Sequence, residues 1–334
     1  MEIKQTDLLI IGAGPCGLFT VFEAGLLKLK CHLVDYLPLP GGQLTEIYPK
    51  KPIYDIPGYP SVIAGQLVEN LMEQIKPFSP EFTLGERAES LEKVDNDFIL
   101  TTHLGTKIKA KAVCIAGGLG CFEPRKPPLP EIENFEDKGV DYIVKDPEKY
   151  RGKKLVIAGG GDSAIDWTFF LADICEELTL IHRRTEFRAA PEMVEKVVHL
   201  AEHKKIKLIT ESEVTKLEGR HSLESLTVHT PEGDQTISAN YFLPLFGLSP
   251  KLGPIADWGL NLDKNAITVD TLDYSTNIEG IFAIGDINTY PGKLKLILCG
   301  FHEATLMVQS VFKIVNNGKK PSFKYTTVTG IQNI

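Results

Sequence analysis

The hydrophobic pattern begins with an unbroken apolar run, Leu8-Leu9-Ile10-Ile11, that stops at Gly12. Such a run predicts a strand buried on both faces, and a helix is predicted over 18–29. A second apolar run over 31–34 closes on Asp35. Farther on, Val62, Leu67, Leu71 and Ile75 fall near one face of a predicted amphipathic helix over 62–76. Residues 82–111 alternate apolar and polar positions, Phe98, Leu100 and Ile108 among them, and read as short strands. Ala112-Val113-Cys114-Ile115-Ala116 is another buried strand, ending on Gly117-Gly118.

The pattern then restarts. Four prolines between Pro124 and Pro130 mark a connector. Leu155-Val156-Ile157-Ala158 runs into Gly159-Gly160-Gly161, a helix is predicted over 163–175, and a strand over 178–181 ends on His182. The interval from Gly12 to Asp35 equals that from Gly159 to His182, so one design of strand, glycine turn, helix and strand occurs twice. A helix over 191–203 with Val194, Val197, Val198 and Ala201 inward follows, then short strands through Val228 and Ile237. A return connector over 241–250, the run Ile281-Phe282-Ala283-Ile284 before Gly285-Asp286, and a closing helix over 300–316 complete the pattern.

Length and composition narrow the picture. At 334 residues the chain is long for one core, and two domains are expected. A formal charge of −8 argues against a nucleic-acid binder. No stretch reaches the length of a membrane span, and Gly12 interrupts the only segment resembling a leader, so a cytoplasmic location is expected. The six cysteines are scattered singly, without C-x-x-C or zinc-like spacing, and read as reduced core thiols. Cys16, within the first glycine turn, is read as a small packing residue. His199 and His203 stand at i, i+4 but lack a third ligand nearby, so no metal is expected.

The chemistry lies in the glycine turns. Gly12, Gly14 and Gly17 form G-x-G-x-x-G between a strand and a helix, which lets a pyrophosphate approach backbone amides at a helix N-terminus. Asp35 stands where an acid would take ribose hydroxyls. The second turn carries Gly159, Gly161, Asp162 and Ser163, and its strand leads into His182, Arg183, Arg184 and, a little farther on, Arg188. An acid there would repel a 2′-phosphate, whereas arginines grip it through charge-assisted bonds of roughly 1.5–3 kcal/mol each. Two such bonds favour NADPH over NADH by on the order of a hundredfold. The first unit is then expected to take FAD, with Gly285-Asp286 at its ribityl chain and hydride passing from nicotinamide to flavin.

The order GAGPCG, GGQL, GGGDSA, HRRTEFRA and FAIGD closely resembles the low-molecular-weight thioredoxin reductases over essentially the whole chain. That resemblance implies an α/β fold of two Rossmann-like (βαβ) nucleotide-binding domains, the NADPH domain inserted in the FAD domain. The expected boundaries are 1–119 for the first part of the FAD domain, 120–247 for the NADPH domain and 248–334 for the second part. The family carries C-x-x-C shortly before the second glycine turn, but Val140-Asp141-Tyr142-Ile143-Val144-Lys145-Asp146-Pro147 contains no cysteine. Thioredoxin reduction by the usual route is thereby excluded.

The lost dithiol and the tail Phe323-Lys324-Tyr325-Thr326-Thr327 resemble the thioredoxin-reductase-like ferredoxin–NADP(+) reductases. This branch implies FAD contacts at Asp35, Gln43, Tyr48, Ala88, Phe122, Asp286 and Thr327. It further implies aromatic cover of the flavin by Tyr48 on one face and by a tail residue on the other, placed at Tyr325 by offset. A ferredoxin or flavodoxin partner and a homodimer are expected on the same ground. Two alternatives stay open: delivery of electrons to a quinone, oxygen or a separate disulfide protein, and a non-catalytic FAD/NADPH redox sensor.

Overall fold

The computed structural model describes residues 3–120, 123–249 and 251–321. They belong to two compact units, one of Met1–Cys121 with Pro250–Ile334 and the other of Phe122–Ser249. The chain therefore leaves the first unit and returns to it, two residues after each boundary read from the sequence.

The first unit starts with β1 (Lys4–Ile11), α1 (Pro15–Leu26) and β2 (Cys31–Asp35). Helix α2 (Ala64–Ile75) follows, then β3 (Glu81–Leu84), β4 (Ala88–Val94), β5 (Asp97–Thr102) and β6 (Lys107–Ile115). The order β3-β2-β1-β6 is parallel, and β5 and β4 continue antiparallel from the first half of β6. The unbroken apolar run of β1 has a direct cause in its two covered faces. Leu8 and Ile10 enter the core formed with α1 and α2, whereas Leu9 and Ile11 enter a second core with Val113, Ile115 and Ile255. Each such buried aliphatic side chain stabilises the sheet by roughly 1.5–3 kcal/mol.

The second unit repeats the plan with β7 (Lys154–Ala158), α3 (Asp162–Leu171), β8 (Glu177–Ile181), α4 (Pro191–Glu202) and β9 (Lys207–Ile209). An antiparallel meander of β10 (Glu213–Glu218), β11 (Ser225–Thr230) and β12 (Gly233–Ser238) leads to β13 (Tyr241–Pro244). The order β9-β8-β7-β13 is parallel throughout. Back in the first unit, β14 (Ile281–Ala283) pairs in parallel with the second half of β6. Helix α5 (Ile297–Val315) then packs beside α1, where the Phe19 and Phe301 rings lie 4.7 Å apart.

Three readings from the sequence need correction. The stretch over 241–250 begins with a strand rather than a connector, because Leu155 to Ala158 pair with Tyr241 to Pro244. The apolar Phe242 and Leu243 are there to fill the sheet. Helix α1 begins three residues earlier than expected, with Pro15 in its first turn, where a missing N–H costs nothing, and ends at Leu26. Of the four residues placed inward on α4, only Val197 is fully buried; Val194, Val198 and Ala201 are half-exposed.

Candidate functional site

The two glycine turns have the same construction. Gly12 (φ +111°) and Gly159 (φ +157°) each approach a backbone carbonyl of an adjacent segment too closely for a side chain: a Cβ would lie 2.4 Å from Ala116 O and 2.7 Å from Leu245 O respectively. Gly14 and Gly161 are the residues that cap α1 and α3, in extended backbone, and as glycines they bring no side chain to the first-turn amides. A Cβ on Gly14 would meet nothing within 4 Å, and one on Gly161 only Arg188 O at 3.9 Å. The protein's own packing therefore does not require glycine at these two positions. Uncapped amides at a helix N-terminus suit the chemistry of a phosphate group. Gly17 does serve internal packing, since its Cβ would lie 2.0 Å from Gly12 O.

Around the first turn, Asp35 at the end of β2 folds its carboxylate back on the backbone. Ala13 N–H donates to Oδ2 at 2.6 Å and Leu37 N–H to Oδ1 at 2.8 Å. Burial nonetheless pushes the carboxyl above its ordinary range, with the backbone N–H groups opposing. The loop before Gln43 lies on the turn, for Gly41 N–H donates to Ala13 O and a Cβ on Gly42 would sit 3.1 Å from Gly14 Cα. Ala88 is buried at the start of β4, shortly after Glu86, whose N–H donates to Asp35 O. Burial, with the charges of Asp286 and Asp55, raises the Tyr48 phenol to about 12, which places Tyr48 and Asp286 in one electrostatic neighbourhood. Asp286 lies just past β14; burial raises its carboxyl, and Lys295 and Lys293 oppose that. Phe122, Tyr325 and Thr327 lie outside the described residues.

Cys16 packs on this turn as a small residue, its Sγ 3.2 Å from where a Cβ on Gly285 would stand. Burial, aided by Asp286 and Glu303, raises its thiol to about 12, so it is not poised as a nucleophile. Among the described residues the cysteines are free, and no group of three metal-ligating side chains occurs. In the stretch 140–147, which lacks the family's dithiol, the Asp141 carboxylate takes Lys149 Nζ at 2.7 Å and Tyr150 OH at 3.0 Å.

Around the second turn the structure separates His182 from the arginines. His182 is only 8% exposed; its ring stacks on Phe187 with centroids 4.7 Å apart, and Nε2 donates to Glu186 O at 3.0 Å. Gly160 must be glycine because a Cβ would fall inside that ring. Arg183, Arg184 and Arg188 are exposed. Their loop is tied back to the turn by Arg188 N–H to Gly160 O at 2.7 Å and by Ala190 N–H to Asp162 Oδ1 at 2.9 Å. Asp162 and Ser163 begin α3 and are exposed.

Sequence reasoning missed Glu303 and Lys293, a buried ion pair in the first unit. The signal was present: Glu303 stands among Gly300, Ala304, Met307, Val308 and Val311 on the buried stripe of α5, where a carboxylate needs a reason.

Residues 6–304 match the family model described as pyridine nucleotide-disulphide oxidoreductase. The chain belongs to this family. It is 64% identical to a protein of Flavobacterium johnsoniae named ferredoxin–NADP reductase, across 98% of this chain and 94% of the relative. A protein of the same name from Flavobacterium psychrophilum is 65% identical, with the same coverage of both chains. Among solved structures, the Lactococcus lactis thioredoxin reductase superposes with a TM-score of 0.81 at 23% identity, covering 93% of this chain and 99% of that one. This last likeness bears out the α/β fold of two units. The family's description names pyridine nucleotides. Among the described residues no helix is long and apolar enough to cross a membrane.

Proposed function

We propose that the chain is a ferredoxin–NADP reductase that holds FAD on its first unit and takes NADPH on its second. The identity of 64–65% with relatives bearing that name, over nearly the full length of both chains, carries the reading. The structure supports it through two uncapped helix N-termini behind open glycines, and through free cysteines with no dithiol among the described residues. When bound, FAD would accept a hydride from NADPH and release the electrons one at a time to the iron–sulfur partner.

The protein's part is to bind, orient and exclude water. The α1 amides receive the FAD pyrophosphate, with Gly12, Gly14 and Gly17 allowing its approach, and Asp35 takes the adenosine ribose. Gln43, Ala88, Phe122, Asp286 and Thr327 complete the flavin contacts, and Tyr48 and Tyr325 cover its two faces. In the second unit Gly159, Gly161, Asp162 and Ser163 shape the pyrophosphate site. Arg183, Arg184 and Arg188 hold the 2′-phosphate, and His182 fixes the loop that carries them. No side chain is needed as acid, base or nucleophile. We further propose that the protein is a cytoplasmic homodimer and that flavodoxin can replace ferredoxin as acceptor.

Anaerobic stopped-flow reduction by NADPH, followed by mixing with oxidised ferredoxin, flavodoxin or thioredoxin, tests this reading. Fast bleaching of the flavin and reoxidation by ferredoxin but not thioredoxin is the expected result. Bleaching without reoxidation by ferredoxin would transfer the assignment to another acceptor, and absence of bleaching would indicate a sensor.

A further inference from the structure

Glu303 is fully buried, yet it is surrounded by donors. Gly285 N–H and Asn288 Nδ2 donate to Oε2 at 2.7 and 2.9 Å, and Tyr290 OH donates to Oε1 at 2.9 Å. The Lys293 ammonium, itself only 6% exposed, completes the set on Oε1. Taking two charges out of water costs several kcal/mol per ion, and an apolar pair of similar volume commonly gives equal or greater stability. Stability alone therefore does not explain this arrangement. Its geometry points to another use. The four donors come from one short stretch, 285–293, and the amide bound most closely belongs to the residue before Asp286. On its other side, Gly285 meets Cys16 of the first glycine turn. The network thus fixes the strand-end turn between α5 and the proposed pyrophosphate cradle.

We infer that Glu303 and Lys293, with Asn288 and Tyr290, form a positioning network that sets the Gly285-Asp286 turn for bound FAD. The inference rests on the reading that this unit holds FAD. Glu303 touches no ligand in this scheme; it acts through Gly285, and Lys293 keeps the site neutral overall. The charges of Lys293 and Glu303 both reach Asp286, the former lowering and the latter raising its pKa, so balance between them matters at the flavin.

The test compares purified holoenzymes: wild type, Tyr290→Phe, Glu303→Gln and the charge-balanced Glu303→Gln/Lys293→Met. FAD release on dilution, the visible flavin band, the midpoint potential and the melting temperature are measured for each. Glu303→Gln leaves a buried cation that stabilises the added negative charge of reduced flavin, so its potential rises; the double variant returns towards wild type. Both release FAD about tenfold faster, and Tyr290→Phe about threefold faster, with an altered flavin band; melting changes little in Tyr290→Phe and in the double variant, whereas Glu303→Gln, with its unpaired buried cation, melts lower. Should Glu303→Gln or the double variant fail to fold, Tyr290→Phe decides by the same readouts. Wild-type FAD release, spectrum and potential in the folded variants overturn the inference while leaving the proposed function intact. A wild-type chain that takes up no FAD overturns both.

Discussion

The two nucleotide units share a strand order and a glycine turn, and they differ at the end of the second strand. In the first unit that strand ends on Asp35, whose carboxylate is drawn inward and bonded to two backbone amides. In the second it is followed directly by His182, which is also drawn inward, while Arg183, Arg184 and Arg188 stay exposed. Under the proposed function, the shared parts would accommodate what any dinucleotide has, a pyrophosphate, and the differing parts would address what distinguishes one from another. Discrimination between cofactors would then rest on a few residues after each second strand, above a common core. A second contrast lies in the third turn position, Gly17 in one unit and Ala164 in the other. Gly17 approaches Gly12 O so closely that no methyl fits, whereas the Ala164 methyl is already packed in place.

That last difference gives the largest expected effect. Gly17→Ala drives a Cβ into Gly12 O and should cost about 3 kcal/mol of stability with loss of flavin; Ala164→Gly should cost about 1 kcal/mol. Thermal melting and the flavin-to-protein absorbance ratio measure both. Next, Arg183→Ala/Arg184→Ala should raise KM for NADPH by about a hundredfold while NADH kinetics change little. Equal losses with the two coenzymes would mean that the arginines serve the fold instead. Smaller effects are expected from the open glycines. Gly14→Ala and Gly161→Ala should melt as wild type, yet weaken FAD and NADPH retention respectively by about tenfold each, as read by fluorescence titration.

The last effect concerns pH and only the first unit. His32 on β2 is buried beside Thr83, with Lys4 and Glu81 as its charged neighbours. Burial, reinforced by Lys4, lowers its imidazole to about 4 against the pull of Glu81. The unfolded chain then binds more protons than the folded one between about 6.5 and 4, so stability is full above that window and falls as pH drops through it. Melting of the first unit should fall by a few degrees more from pH 7 to 4.5 in wild type than in His32→Gln. A parallel pH response in the two proteins would assign the loss to other groups.

The repeat, the glycine turns and most strands were legible because each rests on local patterning: unbroken apolar runs, φ-demanding glycines and helical spacing. What escaped depended on tertiary pairing. Tyr241-Phe242-Leu243-Pro244 carries the apolar composition of a buried strand, but its proline and flanking glycine read as a connector until β7 is seen beside it. The different fates of His182 and its neighbouring arginines are set by Phe187 and Gly160, which no spacing rule connects to them. Glu303 was hidden because its donors come from a loop ten and more residues upstream. Tyr48 and Asp286 are far apart in sequence and come within electrostatic reach of each other only through the fold.

The insertion has a consequence for how the protein is made. Strand β14 completes the first unit's parallel sheet by pairing with β6, yet the whole of Phe122–Ser249 is synthesised between them. The emerging chain thus exposes the open side of β6, including Val113 to Ile115, until residue 283 leaves the ribosome. The second unit has the four strands of its parallel sheet by residue 244 and can fold first, shortening the loop that the late pairing must close. Birth order and assembly order are therefore inverted: the domain begun first is finished last.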